Sequence, residues 1–377
     1  MKILHLITGL NWGGAERMLT SLVTRSRAFE HEVISLIPPG LMAEPLRLAG
    51  VPVSSLGMRR QQPNPMGLVR LRRVLHQRPP DIIQTWLPKA DLLGALAVVG
   101  KDIPVIWNLR NTLSEEAQEF VPWICARLSS RPWAVIANSY AGKATYEAVG
   151  YRPQRWHVIP NGFDTSVFRP DDDARTRVRP RLRISPRERV VAMVARRHQM
   201  KDHEMFVRAA RAVADAVPDV RFVMIGQDVN TDPALGRLIT DLGLTRQVLR
   251  MGVTVQVQSL LPAVDVGALS SRYGEGLPNA IGEAMSCGVP CVVTDVGDSA
   301  RLVGDTGRVV APSDEASFVR ALVDLLRLPE SERRALGARA RARIESDFSL
   351  THAISRYEAL YEDLARELPA ASARVAV

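Results

Sequence analysis

The chain has 377 residues, 46% of them hydrophobic, which excludes an intrinsically disordered protein and provides enough apolar sequence for two domains with full cores. The formal net charge is +9, but aromatic residues make up only 5% of the chain, so a nucleic-acid partner is not expected. Three cysteines, Cys125, Cys287 and Cys291, are too few for a disulfide framework or a zinc site, which indicates a reducing, cytoplasmic compartment.

The first part of the chain alternates short β-rich runs with helical patterns. The N-terminal run is predicted to be a first strand rather than a signal peptide, and no run approaches the ~20 apolar residues that a membrane-spanning helix needs. Near-continuous apolar strands separated by helices are typical of a parallel sheet covered on both faces. The predicted strands are KILHLI, HEVISLI, DIIQTWL, PVIWNL, AVIANS and HVIPN.

A polar, proline-bearing segment follows, and residues 169–188 are predicted to be a linker because they lack an apolar period. The alternation then restarts with VVAMVA, RFVMIG, VLRMG, VGALS, PCVVTD and GRVVAP. The sequence therefore predicts two doubly wound parallel-sheet domains, residues 1–168 and 189–348, with a ligand cleft between the carboxyl ends of their strands. Residues 349–377 are predicted to form a helix and a tail that packs back on the first domain.

The first predicted strand turns through Gly13 and Gly14 into a helix. Adjacent glycines let backbone amides approach a ligand closely, and a helix start favours an anion. The spacing is not the dinucleotide fingerprint, and a plain tight turn is the alternative.

Arg196 and Lys201 follow the first strand of the second domain. A basic pair at a strand end can bind a diphosphate without a metal ion, because arginine donates forked hydrogen bonds and lysine acts as a point charge. A solvated loop of charges is the alternative.

The stretch RYGEGLPNAIGEAM carries Glu275 and Glu283 around a Gly-Leu-Pro turn that opens a helix, with Pro278 predicted at the first helical position. A helix start normally attracts an anion, and two carboxylates beside a bound phosphate would repel it. Either the glutamates are solvated surface acids, or they face the hydroxyl groups of a ligand whose phosphate lies elsewhere on the same turn.

Taken together, these motifs resemble the family 4 glycosyltransferases, which are retaining enzymes of the GT-B fold that use nucleotide-activated sugars. The resemblance covers nearly the whole chain, and the pair of glutamates is its most specific element. It rests on GGAER, IPNGFDTSVF, ARRHQMK, EGLPNAIGEAMSCGVPCVVTDVG and DTGRVVAP in the expected order. It implies two Rossmann-like domains with an interdomain cleft.

The resemblance also implies roles for the donor-binding residues. Gly13 and Gly14 would approach the donor phosphate and sugar, and Arg196 and Lys201 would neutralise the diphosphate leaving group as its charge develops. Glu283 would accept hydrogen bonds from the ribose diol. Glu275 would bind hydroxyls of the transferred sugar only, so its loss is expected to leave nucleoside-diphosphate affinity nearly intact. Backbone N–H groups would come from Gly276, Leu277, Pro278 and Asn279, and backbone near Gly252 would contact the base.

One position departs from the family pattern. Members commonly carry a histidine after a strand in the middle of the first domain, near the donor sugar. The corresponding stretch here is VIWNLRNT, with Arg110 where the histidine is expected. Arg110 would stabilise the leaving phosphate, or Asn111 would bind the sugar. A structural Arg110 paired to a nearby carboxylate is the alternative.

The expected reaction is transfer of a hexose-type sugar from a nucleotide diphosphate donor, with a UDP-sugar as the family-level expectation. The acceptor would be a saccharide or a lipid-linked saccharide in cell-surface polysaccharide or glycolipid synthesis, lipopolysaccharide included, and the configuration would be retained. A nucleotide-sugar epimerase and a catalytically silent sugar-nucleotide-binding protein are the alternatives. No metal or other cofactor is expected: a solvated cluster is predicted for Asp171, Asp172 and Asp173, and a helix cap for Asp298.

The region from Arg59 to Arg78 combines six arginines with an apolar stripe. A basic amphipathic helix of this kind can bind an anionic inner membrane surface, each arginine contributing ~1 kcal/mol. A cytoplasmic protein that is peripheral on the inner face of the membrane is then expected. A solvated helix whose apolar stripe lies in the core is the alternative.

Overall fold

The structure is a computed structural model that describes residues 1–11, 13–59, 65–113, 120–254 and 256–368. It divides into two compact units. The first unit consists of Met1–Gly162 and the segment that begins at Leu350, and the second unit is Phe163–Ser349. The chain therefore passes between units at residues 162–163 and again at 349–350, whereas the sequence analysis ends the first domain at residue 168.

The described residues of the first unit form a seven-stranded sheet in which every strand pair is parallel. Its strands are β1 (Lys2–Ile7), β2 (Glu30–Ser35), β3 (Val53–Ser55), β4 (Ile82–Trp86), β5 (Val105–Leu109), β6 (Ala134–Ala137) and β7 (Trp156–Val158), arranged in the order β3-β2-β1-β4-β5-β6-β7. The sequence analysis missed β3, a three-residue edge strand with two serines and no apolar run.

Helices connect these strands and cover both faces of the sheet. They are α1 (Gly14–Arg25), α2 (Ala43–Leu48), α3 (Pro65–Gln77), α4 (Pro88–Ala97), α5 (Phe120–Leu128) and α6 (Tyr140–Ala148). Helix α3 falls in the predicted basic amphipathic region, and its apolar side chains Leu71 and Leu75 are buried in the core. Residues 60–64 of that region lie outside the described residues.

The second unit repeats the parallel architecture, and its described residues form a six-stranded sheet in the order β10-β9-β8-β11-β12-β13. The strands are β8 (Arg189–Val194), β9 (Val220–Ile225), β10 (Val248–Met251), β11 (Val266–Leu269), β12 (Cys291–Thr294) and β13 (Arg308–Val310). The helices are α7 (Asp172–Arg181), α8 (His203–Ala216), α9 (Pro233–Asp241), α10 (Val257–Leu260), α11 (Asn279–Ser286), α12 (Ser299–Val303), α13 (Glu315–Arg327) and α14 (Glu330–Asp347). All six strands predicted for this part are present.

The predicted linker contains helix α7, which belongs to the second unit. Asp171 caps this helix by accepting a hydrogen bond from the Ala174 backbone N–H at 2.7 Å. Arg175 and Arg179 of the helix then form ion pairs with the buried carboxylate of Asp265 at 2.8 and 2.6 Å. Sequence reasoning missed the helix because arginines that bind a buried acid replace the apolar stripe by which a helix is usually predicted.

A last helix, α15 (Leu350–Glu367), begins where the chain returns to the first unit and agrees with the helix predicted in the tail. Two fully buried tyrosines attach it to the sheet. The Tyr361 hydroxyl donates to the Gln84 amide oxygen on β4, and the Tyr357 hydroxyl accepts from the Asn108 amide on β5 at 2.9 Å. None of the helices in the described ranges combines the length and apolar composition needed to cross a bilayer.

Candidate functional site

The candidate site of the second unit is formed by loops that follow β8, β9, β11 and β12. The carboxyl ends of parallel strands meet at one edge of a sheet, so these loops lie side by side. Gly226, after β9, shows how closely they approach: a side chain there would meet the Arg196 backbone nitrogen at 2.9 Å. The Arg197 backbone N–H donates to the Gln227 carbonyl at 2.8 Å and joins the first two loops.

The loop after β8 carries the predicted diphosphate-binding pair. Arg196 is exposed, and Lys201 ends a short 3₁₀ turn, Gln199–Lys201. Arg197, between them, turns away and forms ion pairs with Glu204 and Asp232. Arg196 is therefore exposed to a bound anion, while Arg197 holds the loop on its neighbours.

Asp202 joins the loop after β8 to the loop after β11, and sequence reasoning missed it. Its backbone is left-handed, with φ of 46°, a conformation that aspartate tolerates better than most residues. Its buried carboxylate accepts the Met205 backbone N–H at 3.1 Å, which caps α8. The same carboxylate accepts both Nε and Nη2 of Arg272, at 3.2 and 2.9 Å.

Backbone contacts strengthen the same junction. The Ser270 hydroxyl contacts the Lys201 and Asp202 carbonyl oxygens at 3.0 Å each, and the Arg272 backbone N–H donates to the Met200 carbonyl at 2.7 Å. The two loops are thus fixed against each other before any ligand binds.

Glu275 lies at this junction and is buried, with 6% of its surface exposed. Its Oε1 forms an ion pair with Lys201 Nζ and also accepts a hydrogen bond from the Ser271 hydroxyl. The structure therefore brings together two of the predicted site residues, the lysine expected to bind phosphate and the glutamate expected to bind sugar.

Glu283 lies in the middle of α11 and is also 6% exposed. The interpretation of both glutamates as surface acids is therefore wrong. Helix α11 begins at Asn279, so Pro278 is its N-cap and not its first helical residue. Because proline has no backbone N–H, the predicted amide donors of this turn reduce to Gly276, Leu277 and Asn279.

The loop after β12 packs against the Gly-Leu-Pro turn that precedes α11. Gly297 has φ of 64°, and a side chain there would meet the Gly276 carbonyl oxygen at 2.7 Å. The Asp298 backbone N–H donates to that same oxygen at 2.8 Å. Asp298 occupies the N-cap position of α12, but its side chain makes no capping hydrogen bond, which differs from the prediction.

Gly252 follows β10 beside Asn230, whose amide oxygen would lie 3.1 Å from a side chain added at Gly252. Arg250 fixes the neighbouring turn by donating to the Asp232 carbonyl at 2.8 Å. The segment predicted to contact the base thus lies at the carboxyl edge of the sheet, on a braced turn.

The remaining predicted site residues belong to the first unit. Gly13 is the N-cap of α1 and Gly14 its first residue. The Gly13 backbone is extended, a conformation that any residue adopts, and a side chain there would meet the flexible end of Glu16. Burial raises the pKa of Glu16 above its usual value.

Arg110 is buried at the end of β5. It donates to the Tyr357 hydroxyl at 2.9 Å, to the Ile159 carbonyl at 3.2 Å and to the Asn161 amide oxygen. Burial lowers the pKa of its guanidinium from the usual value, and the Tyr357 hydroxyl opposes that shift. The alternative interpretation was a structural Arg110 that pairs with a carboxylate. The predicted carboxylate is wrong, because the observed partners are neutral.

Asn111, the other residue considered at this position, accepts a hydrogen bond from the Tyr146 hydroxyl at 2.9 Å.

Within the described ranges, no group of three or more acidic, histidine or cysteine side chains converges in a way that could hold a metal ion.

Two family models match the chain. The model described as Glycosyltransferase Family 4 matches residues 12–167, and the model described as Glycosyl transferases group 1 matches residues 188–328. The chain is 24% identical over 310 residues to the UDP-Gal:alpha-D-GlcNAc-diphosphoundecaprenol alpha-1,3-galactosyltransferase of Escherichia coli, which covers 79% of each protein. It is 25% identical over 314 residues to the putative glycosyltransferase EpsF of Bacillus subtilis, covering 78% of this chain and 79% of EpsF.

Solved structures resemble the chain over nearly its whole length. The crystal structure of Anabaena HepE in complex with UDP and glucose matches with a TM-score of 0.85 at 24% identity, covering 96% of this chain and 100% of that one. WaaG, a glycosyltransferase involved in lipopolysaccharide biosynthesis, matches with a TM-score of 0.71 at 14% identity, covering 95% and 98%. At these identities the likeness shows the fold.

Proposed function

Because the chain belongs to the family 4 glycosyltransferases and has their GT-B fold, we propose that it transfers a hexose-type sugar from a UDP-sugar to a saccharide or lipid-linked saccharide, with retention of anomeric configuration. One contact in this chain carries the proposal. The ion pair of Lys201 with Glu275 brings a cation suited to a diphosphate and a carboxylate suited to sugar hydroxyls to the same strand ends.

The diphosphate is the leaving group, and its charge grows as the bond to the sugar breaks. Arg196, exposed on the loop after β8, and Lys201 supply positive charge where that negative charge develops. The backbone N–H groups at the start of α11 add to it through the helix dipole. This donor set removes the need for a divalent ion, so we propose a metal-independent reaction.

The two buried glutamates contact different parts of the donor. Glu283, within α11, accepts hydrogen bonds from the ribose diol, which does not change during transfer. Glu275, before the helix, accepts hydroxyls of the migrating sugar. Because both carboxylates are already desolvated, their hydrogen bonds to a ligand are stronger than the same bonds in water.

The uridine base is proposed from the relatives. The E. coli relative is named for UDP-galactose, and HepE binds UDP and glucose in its crystal structure. The lipid-linked acceptor rests on similar grounds, because that E. coli relative is named for a diphosphoundecaprenol-linked acceptor.

We also propose that the first unit approaches an anionic membrane surface, although not through Leu71 and Leu75 of α3, which are buried in the core. Helix α4 packs against both α3 and α5. Helices that follow parallel strands begin near the carboxyl edge of the sheet, so the first turns of these three helices lie close together. Large side chains exposed there, on α3 and α5, are Met66 at 50%, Val69 at 49%, Phe120 at 69% and Trp123 at 50%.

The same three helices also carry exposed basic residues, namely Arg72 and Arg73 on α3, Lys89 on α4 and Arg127 on α5. Residues 114–119, which include three glutamates, lie outside the described residues. In a vesicle flotation assay at low salt, the protein should bind vesicles with anionic lipids and bind neutral vesicles less. Phe120→Ser with Trp123→Ser should reduce binding, and the surface change Val149→Ser should not. Equal recovery with both vesicle types would reject the anionic surface.

Turnover of a sugar nucleotide tests the central proposal. Purified protein is incubated with UDP-hexoses and a lipid-linked saccharide in the presence of a chelator, and products are followed by mass spectrometry and anomeric NMR signals. Transfer, or slow hydrolysis, with the donor's anomeric configuration supports the proposal. Formation of an isomeric UDP-sugar would indicate the epimerase, and binding without turnover would indicate a silent sugar-nucleotide-binding protein. Glu283→Gln should lower turnover, and Glu147→Gln, at a glutamate whose side chain is 42% exposed, is the matched control.

A further inference from the structure

The ion pair between Lys201 and Glu275 joins two groups that the donor would need separately. Lys201 is paired with a carboxylate although its proposed partner is a diphosphate. Glu275 is paired with an ammonium although its proposed partners are sugar hydroxyls. Only 16% of the Lys201 side chain and 7% of the Glu275 side chain are exposed. An ion pair so well desolvated is not a screened surface contact, so breaking it has a cost.

We propose that Glu275 and the donor diphosphate compete for Lys201, so that the site discriminates the intact sugar nucleotide from the free nucleoside diphosphate. This inference rests on the proposed function. When a diphosphate attracts Lys201 Nζ, Glu275 is left buried with the Ser271 hydroxyl as the partner that remains in place. In the intact donor, sugar hydroxyls replace the lost ammonium. With the free nucleoside diphosphate nothing replaces it, and the unpaired carboxylate penalises binding.

The surrounding contacts allow the exchange without moving the backbone. The Ser270 hydroxyl holds the Lys201 carbonyl at 3.0 Å, and the Arg272 backbone N–H holds the Met200 carbonyl at 2.7 Å. Both loops therefore stay in place while the flexible four-carbon stem of Lys201 swings its ammonium from one anion to the other. Such an arrangement favours release of the spent nucleotide after the sugar has left.

The test is calorimetric titration with UDP as the probe. The sequence alone predicts that Glu275→Gln leaves UDP affinity nearly intact. The ion pair changes that expectation, because a neutral amide releases Lys201 and UDP should bind about three- to tenfold more tightly. Ser271→Ala removes the hydrogen bond that Glu275 retains after Lys201 has left, so it should weaken UDP binding, in the direction opposite to Glu275→Gln.

A double-mutant cycle separates exchange from simple repulsion between Glu275 and the phosphates. In a Lys201→Met background, Glu275→Gln should no longer tighten UDP binding, because there is no ammonium to release. Unchanged UDP affinity in Glu275→Gln would overturn the inference. Equal tightening with and without Lys201 would overturn it as well.

A second variant keeps the test decisive where Glu275→Gln does not fold. Glu275→Asp retains the charge but withdraws the carboxylate by one methylene, so it should also tighten UDP binding, by a smaller factor. The two levels of proposal fail in different ways. If the wild-type protein neither binds UDP nor turns over any UDP-hexose, the proposed function fails. If the wild-type protein binds UDP and both Glu275 variants match it, the exchange alone fails.

Discussion

The two units compensate buried charge at their strand ends in different ways. In the second unit the buried Glu275 and Asp202 each face an opposite charge, since Glu275 contacts Lys201 and Asp202 contacts Arg272. In the first unit the buried Arg110 contacts neutral groups that include the Tyr357 hydroxyl.

The two arrangements differ in whether a charged side chain can exchange its protein partner for a charged ligand. An ion pair can exchange one partner for a ligand of the same sign, so a site built from ion pairs is suited to binding charged substrates. A cation held by hydroxyl and carbonyl dipoles has no anion to exchange. Removing it leaves acceptors unsatisfied. We therefore expect Arg110 to contribute chiefly to folding, and Lys201 and Glu275 to contribute chiefly to binding.

The largest effect is expected at Arg110. Arg110→Ala should lower the free energy of unfolding by about 3 kcal/mol, because it opens a cavity and leaves the acceptors on Asn161, Ile159 and Tyr357 without their donor. Urea denaturation measures the change, and Arg110→Met, which fills the space, should recover part of it. A normal unfolding free energy with a reduced kcat would instead place Arg110 at the reacting centre, the role that the family resemblance implies for it.

The next effect is a pH dependence that arises from neutral imidazoles, the half-buried His31 in the first unit and the buried His203 in the second. Burial lowers the pKa of His31 to about 4 in the first unit, and burial together with Arg197 lowers that of His203 to about 4 in the second. Unfolding restores an ordinary pKa near 6.5, so the unfolded chain binds more protons below that pH. Stability is therefore full above pH 6.5 and is lost as the pH falls toward 4, by about 1.4 kcal/mol per pH unit for each histidine.

Urea denaturation at pH 7 and pH 5 measures this slope. His31→Asn and His203→Asn should each remove about one histidine's share of it, and the exposed His352→Asn should not. A stability that is the same at both pH values would show that these imidazoles are not buried in solution as they are here.

The third prediction concerns Glu283, one of the proposed ligand-binding residues of the second unit. Glu283→Gln should raise Kd for UDP and for the UDP-sugar alike by roughly ten- to a hundredfold, because a hydrogen bond to a charged acceptor contributes on the order of 1.5 to 3 kcal/mol. Calorimetric titration with both ligands tests it. A loss confined to the sugar nucleotide would move Glu283 from the ribose to the sugar.

The sequence predicted the parts that depend on repeated local patterns. Short apolar runs predicted all six strands of the second sheet and six of the seven strands of the first, and the order of the motifs identified the fold class. The misses have local causes. Strand β3 has no apolar run, and α7 is attached through arginines that pair with Asp265, a residue far away in the sequence.

The site was predictable as a set of residue types but not as a set of contacts. Glu275 and Glu283 were identified by spacing, whereas their burial depends on packing that a single sequence does not encode locally. The pairing of Lys201 with Glu275 spans 74 positions, and that of Asp202 with Arg272 spans 70. The parallel topology predicts that two loops at the same edge of the sheet lie side by side. It does not predict which charged side chain of one loop pairs with which of the other.

The smallest effect is expected at Asp202, where two contributions can be separated. Asp202→Asn keeps a side-chain oxygen to cap α8 and tolerates the left-handed backbone, but it loses the charge that faces Arg272. Because the Arg272 side chain is 54% exposed, that ion pair should contribute less than about 1 kcal/mol. Asp202→Ala loses the cap as well and must adopt the strained conformation, so it should cost about 2 kcal/mol.

The affinity for UDP tests whether the contact between Asp202 and Arg272 also matters for binding. If the contact with Arg272 holds the two loops together for the ligand, Asp202→Asn should weaken UDP binding about threefold, and Arg272→Ala should weaken it equally, with no further loss in the double mutant. Independent, additive losses would mean that each residue acts on its own loop and that the junction does not depend on their pairing.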